Sequence, residues 1–281
     1  MPRESVFHTF KIALILCVIC SVMVSAAAVV LRPLQAANKE REIRKNILLA
    51  AGLIRDPAAS RETIEELSQA IEGHLIDLDT GREVDPSALP PGLNVKRIDE
   101  YDQRRAARDK KQNVQLAPNE AIHGIREREK YSFVYRVEKD GRKLIVLPVY
   151  GNGLWSTLYG FLALSPDTRT IEGLTFYEHG ETPGLGGEVD NPAWKAQWVG
   201  KQPFNEDWDI RVQVTKPGRA IDISQVDGLA GATITSQGVE GLLRFWLGPK
   251  GFGPYLERTR SRTEASTSAP RRTAPEGGSD G

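Results

Sequence analysis

The chain has 281 residues, 40% of them hydrophobic and 26% charged, enough for one sizeable domain with extensions. Lys plus Arg and Asp plus Glu both number 37, so the formal net charge is zero and the basic footprint of a nucleic-acid-binding protein is absent. There is no GxxxxGK(S/T) phosphate loop and no GxGxxG after a strand; Cys17 and Cys20 share one apolar run, so the rest of the chain has neither a disulfide framework nor a cysteine-ligated cluster.

Ile12 to Leu31 carries no charge and, at ~1.5 Å per residue, is long enough as a helix to cross a ~30 Å hydrocarbon core. It reads as a retained single-pass anchor. Ser25-Ala26-Ala27-Ala28 offers a cleavage-like patch that a signal peptide would also have. Within the run, Cys17 and Cys20 read as helix-packing residues, because two ligands do not close a zinc site. Arg32-Pro33 ends the span and a helical pattern resumes after it. Arg3 and Lys11 precede the span, while Arg32, Lys39, Arg41, Arg44 and Lys45 follow it; taken literally, the positive-inside rule keeps the C-terminal side in the cytoplasm.

The apolar positions Ile43, Ile47, Leu48, Ala51 and Leu53 predict an amphipathic helix over 39–55. A second helix is predicted over 61–75, with Ser60 as N-cap and Ile64, Leu67, Ile71 and Leu75 at steps of three and four. Residues 77–119 are polar, and the charge run Arg104 to Lys111 reads as a solvated surface. Ser132–Val137 and Lys143–Tyr150 flank Asp140-Gly141, a hairpin signal. Leu158–Leu164 and Thr170–Tyr177 predict two more strands, and Ile210–Val214 another. A helix is predicted from about Ser236 to Leu247, stopped by Gly248-Pro249. The chain therefore divides into an N-terminal segment with the anchor (1–34), a domain (35–256) and a disordered tail (257–281). The expected fold is α+β, a mixed or antiparallel sheet with helices at its sides.

Three stretches carry chemistry. In Asp227-Gly228-Leu229-Ala230-Gly231-Ala232-Thr233-Ile234-Thr235-Ser236, small residues let a ligand approach the backbone, and the hydroxyls of Thr233, Thr235 and Ser236 suit a phosphate. The same stretch also reads as a small-residue turn before a helix. Gly153-Leu154-Trp155-Ser156-Thr157-Leu158-Tyr159-Gly160 reads either as a tight strand entry with Trp155 in the core or as an apolar wall for a flat ring. The run Glu178-His179-Gly180-Glu181-Thr182-Pro183-Gly184-Leu185-Gly186-Gly187-Glu188 suits a phosphate cradle of backbone N–H groups better than a metal site of His179, Glu181 and Glu188. Lys216, on Thr215-Lys216-Pro217-Gly218, is either solvated or placed to neutralise an anion. Trp194, after Asn191-Pro192, reads as a packing residue at the start of a short helix that ends near Trp198.

The first stretch resembles the flavinylation motif Asp-Gly-x-Ser/Thr-Gly-Ala-Thr/Ser of FMN-binding domains, with Ala230 where that family usually has a hydroxyl. Taken with Gly153–Ser156 and the run from Thr175 to Glu188, the chain resembles the C subunits of sodium-translocating NADH:quinone reductases. The G subunits of the related Rnf complexes share the anchor, the Glu-Thr-Pro-Gly-Leu-Gly core and the flavin motif; Gly186-Gly187-Glu188 and Gly-Leu-Trp-Ser favour the quinone reductase. The resemblance implies FMN joined by a phosphoester to Thr233, the bond being made by a separate flavin transferase. It implies a cofactor-contacting set of Thr233, Thr235, Ser236, Gly231, Ala232, Leu154, Trp155, Ser156, Glu181, Thr182, Gly184, Leu185 and Lys216, with no metal and no acid or base catalyst. It further implies a single-electron carrier that works with other membrane subunits, anchored in a bacterial inner membrane with the flavin domain on the periplasmic side, against the literal charge rule. A membrane-tethered binding protein without cofactor and a transferase or hydrolase with a Thr or Ser nucleophile are the readings from other classes.

Overall fold

The computed structural model describes residues 6–56, 58–93 and 95–268. Contacts divide the chain into a first unit ending at Arg44 and a second beginning at Lys45, ten residues beyond the boundary read from the sequence.

The first unit is helix α1 (Val6–Ala50) as far as Arg44, which includes its apolar run. An 18-residue window in it reaches a mean hydropathy of 2.9 with none of it buried, which is long and apolar enough to cross a membrane. Leu14, Leu16, Val22, Met23, Val24 and Val30 are all exposed, as are Cys17 and Cys20. Pro33 lies inside the helix rather than ending it. A single proline removes one backbone bond and can be carried by the turns on either side.

The second unit begins with the last turns of α1, followed by α2 (Arg61–Ser68), whose N-cap Ser60 accepts the Thr63 N–H at 3.2 Å. The helix stops there. What reads as its continuation is strand β1 (Ile71–Asp77), paired with β5 (Tyr131–Lys139) in the register Ile71↔Val137 to Asp77↔Tyr131. Ile71 and Leu75 satisfy a helical step and a strand alternation equally well, and the long-range pairing decides between them.

The main sheet is completed by β2 (Arg82–Glu83), β6 (Arg142–Asn152), β7 (Thr157–Leu164) and β8 (Ile171–Glu178), in the order β2-β1-β5-β6-β7-β8 with every pair antiparallel. The β5–β6 hairpin turns at Asp140 and Gly141, whose φ values of 51° and 79° are those of a tight primed turn. Successive residues point to opposite faces, and both faces are covered. Ile76 and Val134 belong to the large core with Leu147, Leu162, Trp198 and Trp246. Leu75 and Phe133, next to them in sequence, belong to a smaller core with Leu93, Tyr101 and Tyr131.

That smaller core exists because residues 77–119 fold. They form α3 (Gln103–Arg108) and the strand β3 (Asn113–Gln115), which pairs with β4 (Glu127–Glu129). Tyr101 donates its hydroxyl to Tyr131 O at 2.8 Å. The run from Arg104 is not wholly solvated. Ala106 and Ala107 are buried, and the Arg104 guanidinium lies 3.6 Å from the Tyr159 ring centroid while its Nη1 meets Glu178 at 2.7 Å.

After β8 come a 3-10 turn (Gly186–Asp190) and α4 (Pro192–Ala196), capped by Asn191. The expected strand at 210–214 is β9 (Gln213–Thr215), paired in parallel with β10 (Gln225–Asp227) immediately before the small-residue stretch. Helix α5 (Thr233–Trp246) packs on β6 and anchors there through Trp246 Nε1 to Tyr150 O at 2.7 Å. It starts three residues earlier than the sequence predicts. The approach to β6 is close enough that a Cβ on Gly238 would lie 2.3 Å from Asn152 O. Helix α6 (Gly253–Ser268) runs into the stretch read as a disordered tail, so 257–268 are helical; residues 269–281 lie outside the described residues. Buried Tyr255 and Leu256 tie its first turn to the core.

Candidate functional site

Glu181 organises the site. Its carboxylate accepts the backbone N–H groups of Leu154, Trp155 and Ser156 at 3.1, 2.9 and 3.1 Å, and the Thr235 hydroxyl at 2.6 Å. One buried carboxylate thus joins the β6–β7 turn, the glycine-rich run after β8 and the first turn of α5. Burial by itself pushes a carboxyl up; the bonds from Thr235, Trp155, Leu154 and Ser156 outweigh it and hold Glu181 below the usual carboxylate range. Ser156 adds a second tie, since its hydroxyl accepts the Gly180 N–H at 2.6 Å.

This arrangement sorts the three hydroxyls of the small-residue stretch. Thr235 is 1% exposed and its proton goes to Glu181. Ser236 is 4% exposed and its oxygen accepts the Leu229 N–H at 2.9 Å. Both hydroxyls are buried and engaged, so of the three hydroxyls only that of Thr233 is open at the surface. Thr233 is exposed, and no hydrogen bond engages its hydroxyl among the described residues. It stands at the first position of α5, after Gly231, whose φ is 72°. The first bond that closes the helix runs from Ser236 N to Ala232 O at 3.0 Å. The N–H groups of Thr233, Ile234 and Thr235 therefore have no backbone acceptor, as at any helix start, and they supply positive partial charge beside the Thr233 hydroxyl.

Apolar side chains surround this helix start without being buried. Leu154, Trp155, Leu185 and Ile234 are 46%, 71%, 45% and 55% exposed. Trp155 is therefore not a core residue; the alternative of an outward-facing wall is the one its position matches. Leu185 approaches the motif directly, its Cδ2 lying 3.1 Å from where a Gly231 Cβ would be. Ile234 is not singled out by the sequence, which predicts the helix only from about Ser236; in the structure it lies in the first turn of α5.

The glycine-rich run is less a phosphate cradle than a folded spacer. Thr182 O accepts the N–H groups of Leu185 and Gly187 at 3.1 and 2.9 Å, so those donors are used within the run. Thr182 itself is exposed; Gly184 has a φ of 75° in open space. Gly186 is different: a Cβ there would lie 2.6 Å from Thr235 Oγ1 and 2.7 Å from Glu181 Oε2. His179 and Glu188 are engaged apart from the Glu181 carboxylate: His179 Nδ1 accepts the Glu181 backbone N–H at 3.3 Å and its Nε2 meets Asp190 at 2.8 Å, while Glu188 accepts Asn191 Nδ2 at 2.7 Å. No group of three metal-ligand side chains gathers among the described residues.

Asp227 opens the motif as a scaffold. Its carboxylate accepts the N–H groups of Arg219 and Ala220 at 2.8 and 2.9 Å, and its carbonyl accepts Trp194 Nε1 at 2.7 Å. Bonds from those backbone groups keep it below the usual aspartate range. It fixes the loop that begins at Lys216, and Gly228 N donates to Thr215 O at 2.9 Å. Lys216 is thus held near the motif by its backbone, while its side chain is exposed and makes no ion pair among the described residues. Trp194 is buried, as a packing residue should be.

An exposed hydroxyl at a helix start with an apolar rim fits a ligand with a phosphate and a flat apolar ring. The family described as FMN-binding domain matches residues 153–248, which contain every element of this site. The C subunit of the Na(+)-translocating NADH-quinone reductase of Pseudomonas aeruginosa is 45% identical over 263 residues, covering 92% of this chain and 97% of that protein. The chain belongs to that family, the NqrC family. The corresponding protein of Vibrio alginolyticus is 40% identical, over 92% of this chain and 96% of its own length. Among solved structures, NqrC of Shewanella oneidensis superposes with a TM-score of 0.69 at 33% identity, covering 80% of this chain and 99% of that one. The C subunit of the Na(+)-translocating NADH-quinone reductase of Parabacteroides distasonis gives 0.61 at 26% identity, over 80% and 96%. The antiparallel α+β domain seen here is thus the NqrC fold, carried behind a long apolar N-terminal helix.

Proposed function

We propose that this chain is the FMN-carrying electron-transfer subunit of a sodium-translocating NADH-quinone reductase, with FMN held as a phosphoester on Thr233. FMN supplies the one-electron redox chemistry, and the protein supplies attachment, orientation and local charge. The observation that carries the reading is the sorting of hydroxyls. Thr235 and Ser236 are bonded and buried, and Thr233 is exposed at the start of α5. The free N–H groups of that first turn would face the phosphate. Leu154, Trp155, Leu185 and Ile234 would offer the ring an apolar surface, and Lys216 a nearby cation. The other proposed contacts act indirectly: Glu181 and Ser156 fix the Trp155 turn, Thr182 and Gly184 shape the run that presents Leu185, and Gly231 and Ala232 set the helix start.

In this reading a separate flavin transferase makes the bond. The chain does not catalyse the overall reaction alone; it works with the other subunits of the complex. The long apolar helix serves as a single-pass anchor in a bacterial inner membrane, with the FMN domain on the periplasmic side, where lost cofactor is hard to replace.

Peptide mapping by mass spectrometry of the protein purified from membranes tests the attachment, with the FMN mass expected on the peptide containing Thr233. FMN on Thr235 or Ser236 would overturn it. Protease accessibility of the domain in spheroplasts tests the orientation; protection until the membrane is lysed would place the domain in the cytoplasm instead.

A further inference from the structure

We infer that a cleft at the end of the β6–β7 hairpin is a second binding site, one that takes a carboxylate group. Its volume is about 480 Å³, within the range of small-ligand sites. It is separate from the Thr233 surface but adjoins it: Asn152 and Thr157, which line the cleft, flank the turn that carries Leu154 and Trp155.

Three arginines face this space, and they are under-compensated. Arg104 contributes a guanidinium stacked on Tyr159 and paired through Nη1 with Glu178. Its Nη2 is shielded from solvent on the Tyr177 side, so Arg104 gives the cleft charge, and the reachable donors are those of Arg108 and Arg126. Among the described residues Arg108 bonds a neutral group, the Tyr159 hydroxyl, at 3.1 Å and makes no ion pair. Arg126 has no ion-pair or side-chain hydrogen-bond partner among the described residues. The chain as a whole has zero net charge, so this local excess is a feature of the cleft rather than of a basic protein.

The walls are fixed in advance. Tyr159 is held between Arg104 and Arg108, and Tyr150 donates its hydroxyl to the buried Glu129 carboxylate at 2.6 Å. Gly151 and Ile125 give the floor an apolar part. Arginine forks with an unused N–H recognise planar oxyanions. The Glu127 carboxylate also lines the cleft, held by Asn113 and Gln115 at 3.0 and 2.8 Å. Its charge disfavours the two charges that a phosphate concentrates on one group and leaves a carboxylate group, which carries one, as the matching ligand. That carboxylate comes either from a small organic acid or from an Asp or Glu side chain of another polypeptide.

Isothermal titration calorimetry of the full-length, FMN-loaded protein in detergent at low salt tests this with three probes: glutarate, a short peptide with two glutamates, and inorganic phosphate. Saturable binding of glutarate or the peptide is expected, with phosphate weaker than both. The double change Arg108→Gln and Arg126→Gln should weaken it about tenfold, while Arg61→Gln on α2 leaves it unchanged. Both cleft arginines are exposed at the rim, so the double variant should melt at the same temperature as the parent. Peptide binding about tenfold tighter than glutarate identifies a polypeptide partner; equal binding identifies a small acid. Absence of saturable carboxylate binding, phosphate binding tighter than glutarate, or equal losses in the double variant and in Arg61→Gln would each overturn the proposal.

Discussion

The Glu181 carboxylate accepts the Thr235 hydroxyl at 2.6 Å across 54 residues of sequence. Through the same carboxylate, three backbone N–H groups of the Leu154–Ser156 turn are bound to the helix that begins at Thr233. The site is therefore one unit built on a charge that touches no ligand in the proposed arrangement.

Glu181→Ala removes the acceptor of four donors, the buried Thr235 hydroxyl and three half-buried backbone N–H groups. It should cost about 2–3 kcal/mol of domain stability, read by chemical denaturation. Glu181→Gln should retain part of this and also raise the midpoint potential of the bound flavin, because a negative charge near the cofactor has been removed. An unchanged potential in Glu181→Gln would mean that the carboxylate is too far from the ring to matter.

The pH dependence follows from the same contacts. A carboxyl held below its unfolded value contributes stability that is fully present above the unfolded pKa and is lost as pH falls through the folded one. Glu181 should therefore contribute nothing to pH sensitivity near neutrality and should weaken the domain only on acidification below about pH 4.5, where free glutamate begins to protonate. Denaturation midpoints of parent and Glu181→Gln should converge in that acidic range.

Thr233→Ala and Thr235→Ala should behave in opposite ways. The first removes an exposed, unbonded hydroxyl, so covalent flavin is lost while stability is unchanged within about 0.5 kcal/mol. The second removes a buried bond to a charged group and should cost about 1.5–3 kcal/mol while attachment persists. Fluorescence of the denatured protein in a gel reads the flavin, and a thermal melt reads the stability. Thr233→Ser should retain the cofactor.

Two glycines of one run should also separate. At Gly186 a valine would press on Thr235 and Glu181, costing about 1–3 kcal/mol through overpacking and lowering flavin content. At Gly184 there is open space but a φ of 75°. Valine there should cost about 1–2 kcal/mol from backbone strain alone and disturb the flavin less. Equal flavin content in the two variants would count against a special role for Gly186.

Arg104→Ala should lose the stacking on Tyr159 and the pair with Glu178, about 1–2 kcal/mol together. Lysine at that position keeps the charge but lacks the planar face, so Arg104→Lys should recover less than half of the loss. Urea midpoints of the three proteins decide this.

The hairpin at Asp140-Gly141, the strands around it and the apolar N-terminal helix were legible because each depends on local pattern. The end of α2 was not, because Ile71 and Leu75 fit two periods and only the partner strand β5 chooses between them. The fold of 77–119 was hidden by its charge: the buried strip there is two alanines and a few large residues, too sparse to register as a period. In the site, the small-residue stretch, the Leu154-Trp155 turn and the run around Glu181 could each be read, but not the bonds that join them. A carboxylate that binds backbone N–H groups leaves no trace in its partners' side chains. The one usable sign was a glutamate in a glycine-rich run with no lysine or arginine next to it.

The exposed position of Thr233 has a consequence for the order of events in the life of the protein. Its hydroxyl is presented by a helix whose next turn is locked into the core, so the acceptor exists as a surface feature only once the sheet, the Glu181 bonds and α5 are in place. In the proposed reading a modifying enzyme would meet a finished domain and have nothing to open. Loading with cofactor can then be a late step of assembly, and a pool of folded, unloaded chains can accumulate and be filled when flavin becomes plentiful.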